Sequence, residues 1–151
     1  MSFKYISTKT YPDLGPVCYR QWRADSHCNL LHGYALSFHF EFGTNELDAR
    51  NWVVDFGSLK PLKEKLEEWF DHTMLVAEDD PELNTFYSLE KRGLCKVRVV
   101  EKTGCEGLAD FLYDYVNDQF LPLYGYGDRV WCTKVEVREH SKNSAMRVRE
   151  V

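Results

Sequence analysis

The sequence predicts an α+β domain, an antiparallel β-sheet with helices on one face, and three observations lead there. Residues Tyr34 to Phe42 alternate apolar and polar, the middle of the chain carries helical spacing, and a second strand-like run closes it from Val130 to Glu139. With no internal repeat, low-complexity tract or Pro/Gly-rich linker, the 151 residues are expected to form one domain, 1–151.

Each element has its own warrant. Tyr34, Leu36, Phe38, Phe40 and Phe42 share one face of the first strand, while Ala35, Ser37, His39 and Glu41 share the other. That second face is polar enough for water, or for a wet passage between subunits. Asn51 to Phe56 is a short apolar approach, and Ser58 is placed to cap a helix carrying Leu59, Leu62, Leu66, Trp69 and Phe70, with Pro61 in its first turn. Asp79-Asp80-Pro81 opens a shorter helix that Gly93 closes, and Leu94 to Val100 has the character of a strand. Thr103 precedes a helix bearing Leu108, Phe111, Leu112, Tyr115 and Val116, which Pro122 and Gly125 terminate. On the last strand, Trp131, Thr133, Val135, Val137 and Glu139 are expected on one face.

Composition excludes several function classes. A formal charge of −5 and the lack of any basic run argue against a nucleic-acid platform, since neutralising phosphates needs clustered Lys and Arg. No apolar stretch approaches the ~20 residues of a membrane span, and no signal-type apolar region opens the chain. Cys18, Cys28, Cys95, Cys105 and Cys132 are odd in number and irregularly spaced, which fits reduced thiols and a cytoplasmic location. Aromatic residues make up 15%, enough for packed sheets or a stacking site for a flat ligand.

Three clusters could carry chemistry. His27, Cys28 and His32 lie within six positions ending at Gly33, a grouping suited to a metal or an acid–base site, or to a loop with incidental histidines. Asp71-His72 sits at the end of the first long helix. There the helix dipole favours a protonated His, or the carboxylate orients the His beside a thiol; on a continuing helix the two side chains would splay apart. Glu106, three positions after Thr103, has capping-box spacing. Glu139 continues the face of Val135 and Val137, so it stands either at a frayed strand end or toward a ligand offering adjacent N–H groups, such as an amino-pyrimidinone edge.

Together these residues resemble the family of 6-pyruvoyltetrahydropterin and 6-carboxytetrahydropterin synthases. The family's Cys-x-x-Leu-His-Gly-His is met by Cys28, Leu31, His32 and Gly33, with Tyr34 in the last place. Its apolar run into Asp-Phe and a Leu-Lys pair appears as Val53-Val54-Asp55-Phe56-Gly57-Ser58-Leu59-Lys60, and its Asp-His-x-x-Leu as Asp71, His72 and Leu75. Its Pro-Thr-x-Glu-x-x-Ala appears weakly as Thr103-Gly104-Cys105-Glu106-Gly107-Leu108-Ala109, with one more residue between Thr and Glu, and Val135, Val137 and Glu139 meet its closing Val-x-Val-x-Glu. Order and spacing agree from about Cys18 to Glu139.

The resemblance implies a tunnelling fold whose sheets join across subunits into a barrel, usually a homo-hexamer with sites between subunits. It implies catalysis by Cys28 with Asp71 and His72 from a neighbour, and substrate binding by Glu139 with help from Glu106. The expected reaction is conversion of 7,8-dihydroneopterin triphosphate to 6-carboxytetrahydropterin, toward queuosine and related deazaguanines. The alternatives are 6-pyruvoyltetrahydropterin synthesis or a non-catalytic pterin- or purine-binding oligomer. The family holds zinc with three histidines, of which only His32 is kept. Tyr34 replaces one, and Tyr19 to Arg23 supply no upstream His. A bound zinc would therefore be expected on His32 and His27 with a further ligand such as Cys28 or water, the other possibility being that Arg23 supplies the charge.

Overall fold

The computed structural model describes residues 2–150. Eight strands form two four-stranded sheets. The larger is antiparallel in the order β1-β4-β7-β8, from β1 (Tyr5–Tyr11), β4 (Ser37–Thr44), β7 (Trp131–His140) and β8 (Asn143–Val148). The smaller runs β3-β2-β5-β6, from β2 (Pro16–Tyr19), β3 (His32–Ala35), β5 (Thr73–Ala77) and β6 (Val97–Val100). In it β2 pairs β3 antiparallel, but β5 lies parallel to both β2 and β6.

The expected Tyr34–Phe42 strand is two strands in two sheets. Leu36, between β3 and β4, is buried, and its carbonyl accepts from Leu14 N–H at 3.0 Å. The chain crosses there from one sheet to the other without losing alternation. Leu36, Phe38, Phe40 and Phe42 all remain in the core, each apolar side chain stabilising the fold by about 1.5–3 kcal/mol relative to exposure.

Helix α1 (Lys60–Phe70) buries Leu62, Leu66, Trp69 and Phe70, and the Phe70 ring stacks on Phe38 at 5.1 Å. Ser58 does not cap it. Asp55 instead caps a 3-10 turn, Phe56–Leu59, that runs into the helix, and Ser58 Oγ donates to the Asp55 carbonyl. Helix α2 (Leu83–Lys91) ends before Gly93 (φ +77), as expected. Helix α3 (Cys105–Tyr115) lies over β7 and β8, then widens into a π turn, Val116–Phe120, and a closing turn, Leu121–Leu123. The capping-box expectation for Thr103 and Glu106 fails. Gly104 (φ +93) precedes the helix without a side-chain cap, while Thr103 Oγ1 donates to the Arg20 carbonyl at 2.8 Å.

One face of β7 is also corrected. Glu41 pairs with Lys134 but Phe42 with Cys132, so Thr133 is an extra, bulged residue. Cys132, Val135 and Val137 point into the core, and Trp131 faces outward. The helix-free face of the large sheet is polar at Ser37, His39 and Glu41, as expected, but also exposes Ile6, Met146 and Val148. His39 Nε2–H donates to Glu41 at 3.0 Å, and Lys134 lies 3.7 Å from the same carboxylate. Among the described residues no helix is long and apolar enough to cross a membrane.

Candidate active site

The antiparallel pairing of β2 and β3 sets Tyr19 directly opposite His32. Their rings lie 5.3 Å apart, His32 and Tyr34 5.4 Å, and Tyr19 and Tyr34 6.0 Å, so three rings from two strands meet. His32 Nδ1–H donates to the Leu30 carbonyl at 2.7 Å, which fixes the tautomer and leaves Nε2 with its lone pair. Glu139, near the end of β7, reaches the cluster and accepts from the Tyr19 hydroxyl at 2.9 Å.

Electrostatics follow from this packing. Burial first, then the Glu139 carboxylate and the Cys28 and Cys105 thiols alongside, push the Tyr34 phenol up. Burial, together with the hydrogen bond to Glu139, raises that of Tyr19. Cys105, at the start of α3, is pushed up to about 12 by burial and by the charges of Glu139 and Glu106. The two phenols are therefore neutral hydrogen-bond donors around a carboxylate, a set suited to a ligand with its own N–H donors.

Cys28 lies in a 3-10 turn, His27–Asn29, capped by Ser26. The turn is stapled to the end of β2. Gln21 N–H donates to the Cys28 carbonyl at 2.9 Å, Asn29 Nδ2 donates to the Trp22 carbonyl at 2.7 Å, and Arg20 Nη1 donates to Asn29 Oδ1 at 3.2 Å. Arg20 is itself held by Asp80, through Nε at 2.9 Å and Nη2 at 2.7 Å. Asp80 is buried, and the Arg20 hydrogen bonds hold its carboxyl below the usual carboxylate range.

Asp71 and His72 bond each other directly. The helix ends at Phe70, Asp71 turns extended (ψ 124) and His72 adopts φ +53, so the splay of a continuing helix does not apply. His72 Nδ1–H donates to Asp71 Oδ1 at 2.7 Å. A Cβ on Gly15 (φ +118) would come within 2.1 Å of that oxygen, so only glycine leaves room for this carboxylate. His72 N–H donates to the Pro16 carbonyl, whereas the Cys28 turn is tied to Gln21. The dyad and Cys28 thus flank opposite ends of β2, a strand whose ends are about 10 Å apart at ~3.3 Å per extended residue.

Within one chain the structure therefore brings His32 and Glu139 together with Tyr19, Tyr34 and Cys105, while Cys28 sits on the adjoining turn tied to Gln21, and Glu106 stands exposed on the first turn of α3. It does not bring Asp71 or His72 to them. Tyr19, Arg20 and Asp80 are participants that the sequence reading passed over. The buried pair Val17 and Tyr19, two positions apart, was the available signal for Tyr19.

Zinc, which the motif implies, is not matched by the donors present. Among the described residues no group of three or more His, Cys, Asp or Glu side chains is arranged to hold a metal ion. The expected set of His27, His32 and Cys28 does not converge, because His27 is exposed on its turn while His32 packs among phenol rings. Arg23, the other possible source of charge, pairs with Asp79 at 3.1 Å and stacks over Trp22 on the surface.

Residues 16–150 match the family model for 6-pyruvoyl tetrahydropterin synthase. A protein named 6-carboxy-5,6,7,8-tetrahydropterin synthase from Aquifex aeolicus is 31% identical over 120 residues, 78% of this chain and 74% of its own. One of the same name from Rickettsia conorii is 35% identical over 57 residues, and that match spans 37% of this chain and 41% of the relative's length. In fold, an uncharacterized Wolinella succinogenes protein superposes with TM-score 0.81 at 22% identity, covering 97% of this chain and 98% of its own. The 6-pyruvoyl tetrahydropterin synthase of Plasmodium vivax gives 0.62 at 14%, covering 98% and 100%. The tunnelling-type subunit expected from the sequence is therefore the fold observed, and the chain belongs to the 6-pyruvoyl tetrahydropterin synthase family.

Proposed function

We propose that this chain is a 6-carboxytetrahydropterin synthase, a lyase acting on 7,8-dihydroneopterin triphosphate and water and releasing acetaldehyde and triphosphate. The observation that carries the reading is the convergence of Glu139 with two neutral phenols and His32, beside the turn that bears Cys28. Glu139 accepts from the adjacent N–H groups of the pterin ring, as a carboxylate does in a two-point contact. Tyr19 holds one oxygen of that carboxylate, which fixes its orientation. Cys28 stands beside the ligand as the proton-transferring group, and Glu106 lines the approach. The name carried by the Aquifex aeolicus relative supports the carboxy product.

The Asp71–His72 dyad completes the site from a second copy of the chain. Its bonded geometry, with Nδ1–H on the carboxylate and Nε2 left free, is that of a proton-transferring imidazole awaiting a partner. The polar face carrying Ser37, His39 and Glu41 then lines the interior of a barrel, and closure into a homo-hexamer satisfies the open edges of both sheets. The phenols at two of the three converging ring positions favour one other reading, a pterin-binding oligomer that performs no turnover.

A mixing experiment tests the shared site. Cys28→Ala and His72→Ala chains, each inactive, are dissociated, combined and reassembled, and hybrid oligomers should regain turnover. A double variant carrying both changes in one chain, mixed with itself, should not. If the mixed oligomers stay inactive while both variants bind pterin, the dyad does not act across subunits. Parent protein that binds pterin without turnover supports the binding-only reading.

A further inference from the structure

The ring cluster at the end of β2 and β3 carries a conclusion about the metal. A zinc site needs three protein donors, nitrogen, sulfur or oxygen, at about 2.0–2.3 Å from one point. Tyr19, His32 and Tyr34 are the side chains that converge as such a set would, each ring within 6.0 Å of the other two. Their contacts, at interplanar angles of 60°, 43° and 85°, are ring against ring, and the group offers one imidazole and two phenols rather than three ordinary zinc donors.

Among the donors on these rings and on the neighbouring His140, only His32 Nε2 is both free and of the ordinary zinc type, and no group of three His, Cys, Asp or Glu forms around it among the described residues. Tyr19 is 1% exposed and its hydroxyl is committed to Glu139, so it cannot swing toward an ion. A phenol with an ordinary pKa near 10 is a poor zinc ligand at neutral pH. His32 offers Nε2 alone, since Nδ1 is bonded to the Leu30 carbonyl. His140, whose ring lies 6.0 Å from Tyr34, accepts from Lys142 N–H through Nδ1 and meets the Asn143 amide through Nε2.

We infer that this protein works without a resident zinc, and that Tyr34, at the place of a motif histidine, offers a hydroxyl donor to an oxygen of the bound ligand. The metal half of this inference stands apart from the proposed reaction; the ligand half rests on it. A neutral hydroxyl polarises an oxygen less than a dication, so the site binds a polar side chain by hydrogen bonding.

Protein purified without chelator should contain well under 0.1 zinc per chain by elemental analysis, and Co(II) titration should give no tetrahedral d–d absorption. Stoichiometric zinc that His32→Ala removes would overturn the inference. Tyr34→His, at a half-exposed position that tolerates the change, should raise Co(II) affinity at least tenfold. Equal affinity in parent and variant would show that Tyr34 is not what displaced the metal. Tyr34→Phe should weaken binding of a pterin bearing the polyhydroxylated side chain about tenfold more than binding of unsubstituted pterin. Equal weakening of both ligands would refute the donor role. If neither ligand binds the parent, the pterin reading and the ligand half fail together, while the metal measurements still decide the first half.

Discussion

Arg20→Met should destabilise the protein by about 3–5 kcal/mol at pH 7, the usual cost of removing one partner of a buried ion pair. The structure sets the scale. The Asp80 side chain is 2% exposed and the Arg20 side chain 16%, and two hydrogen bonds of 2.9 and 2.7 Å join them. In the variant Asp80 keeps the Glu82 N–H at 2.8 Å but loses its cation. For a chain of this size that corresponds to a fall in Tm of roughly 10 °C or more, measured at fixed protein concentration. The pH dependence follows from the sign of the Asp80 shift. Its carboxyl is held below the ordinary range chiefly by Arg20, so in the parent this contribution is complete above the unfolded pKa of about 3.9 and is lost as pH falls through the lower folded value. Without Arg20 the buried carboxylate prefers its proton, so the deficit should be largest at neutral pH and shrink toward pH 4. Adding Asp80→Asn should recover part of the loss. Urea unfolding at pH 7 and pH 4.5 measures both effects. A deficit under about 1 kcal/mol at pH 7, or one equal at the two pH values, would refute the reasoning. Because Arg20 also holds Asn29 beside Cys28, turnover of the folded variant should fall on the order of 100-fold, the scale of a 1 Å misplacement.

Cys28→Ala should leave the unfolding midpoint unchanged and reduce turnover by a factor on the order of 100 or more; activity within a few-fold of the parent removes Cys28 from the mechanism. Glu139→Gln should weaken pterin binding by about 1–3 kcal/mol, seen by calorimetry, because one accepting oxygen becomes an N–H; unchanged affinity would point the ligand elsewhere. Gly15→Ala should cost about 1–3 kcal/mol in urea unfolding and lower turnover, since φ +118 and the 2.1 Å approach to Asp71 both oppose a side chain. Gly93→Ala, at φ +77 but with open space, should cost less and leave turnover intact. Light scattering at micromolar concentration should report a hexamer, and a monomer would contradict a site shared between chains.

Some of this architecture was readable from local pattern, because alternation and helical spacing report which side of an element meets the core. Phe38, Phe40 and Phe42 on one face, the α1 stripe of Leu62, Leu66, Trp69 and Phe70, and the stop at Gly93 follow from the sequence and reappear in the structure. The motif around Cys28 and His32 and the position of Glu139 were the sequence's candidates for a site, and the structure sets His32 and Glu139 beside the same Tyr19 ring, although Glu139 lies on β7 and a further strand, β8, follows it. Alternation does not say which sheet a strand joins. The crossing at Leu36 keeps its period, and β5, a nearly unbroken apolar run buried between parallel neighbours, has no alternation to detect. The bulge at Thr133 turned Trp131 outward through a pairing with β4 that lies far away in the chain. Tyr19 meets Glu139 across 120 positions, Arg20 meets Asp80 across 60, and Asp71 fits against Gly15 only after β2 and the end of α1 are side by side. Local sequence determines the secondary elements and the donor types available, since both depend on neighbouring residues and side-chain chemistry. Only tertiary packing decides which donors converge, because hydrogen bonds and ring contacts act over a few ångströms and their partners come from separate strands.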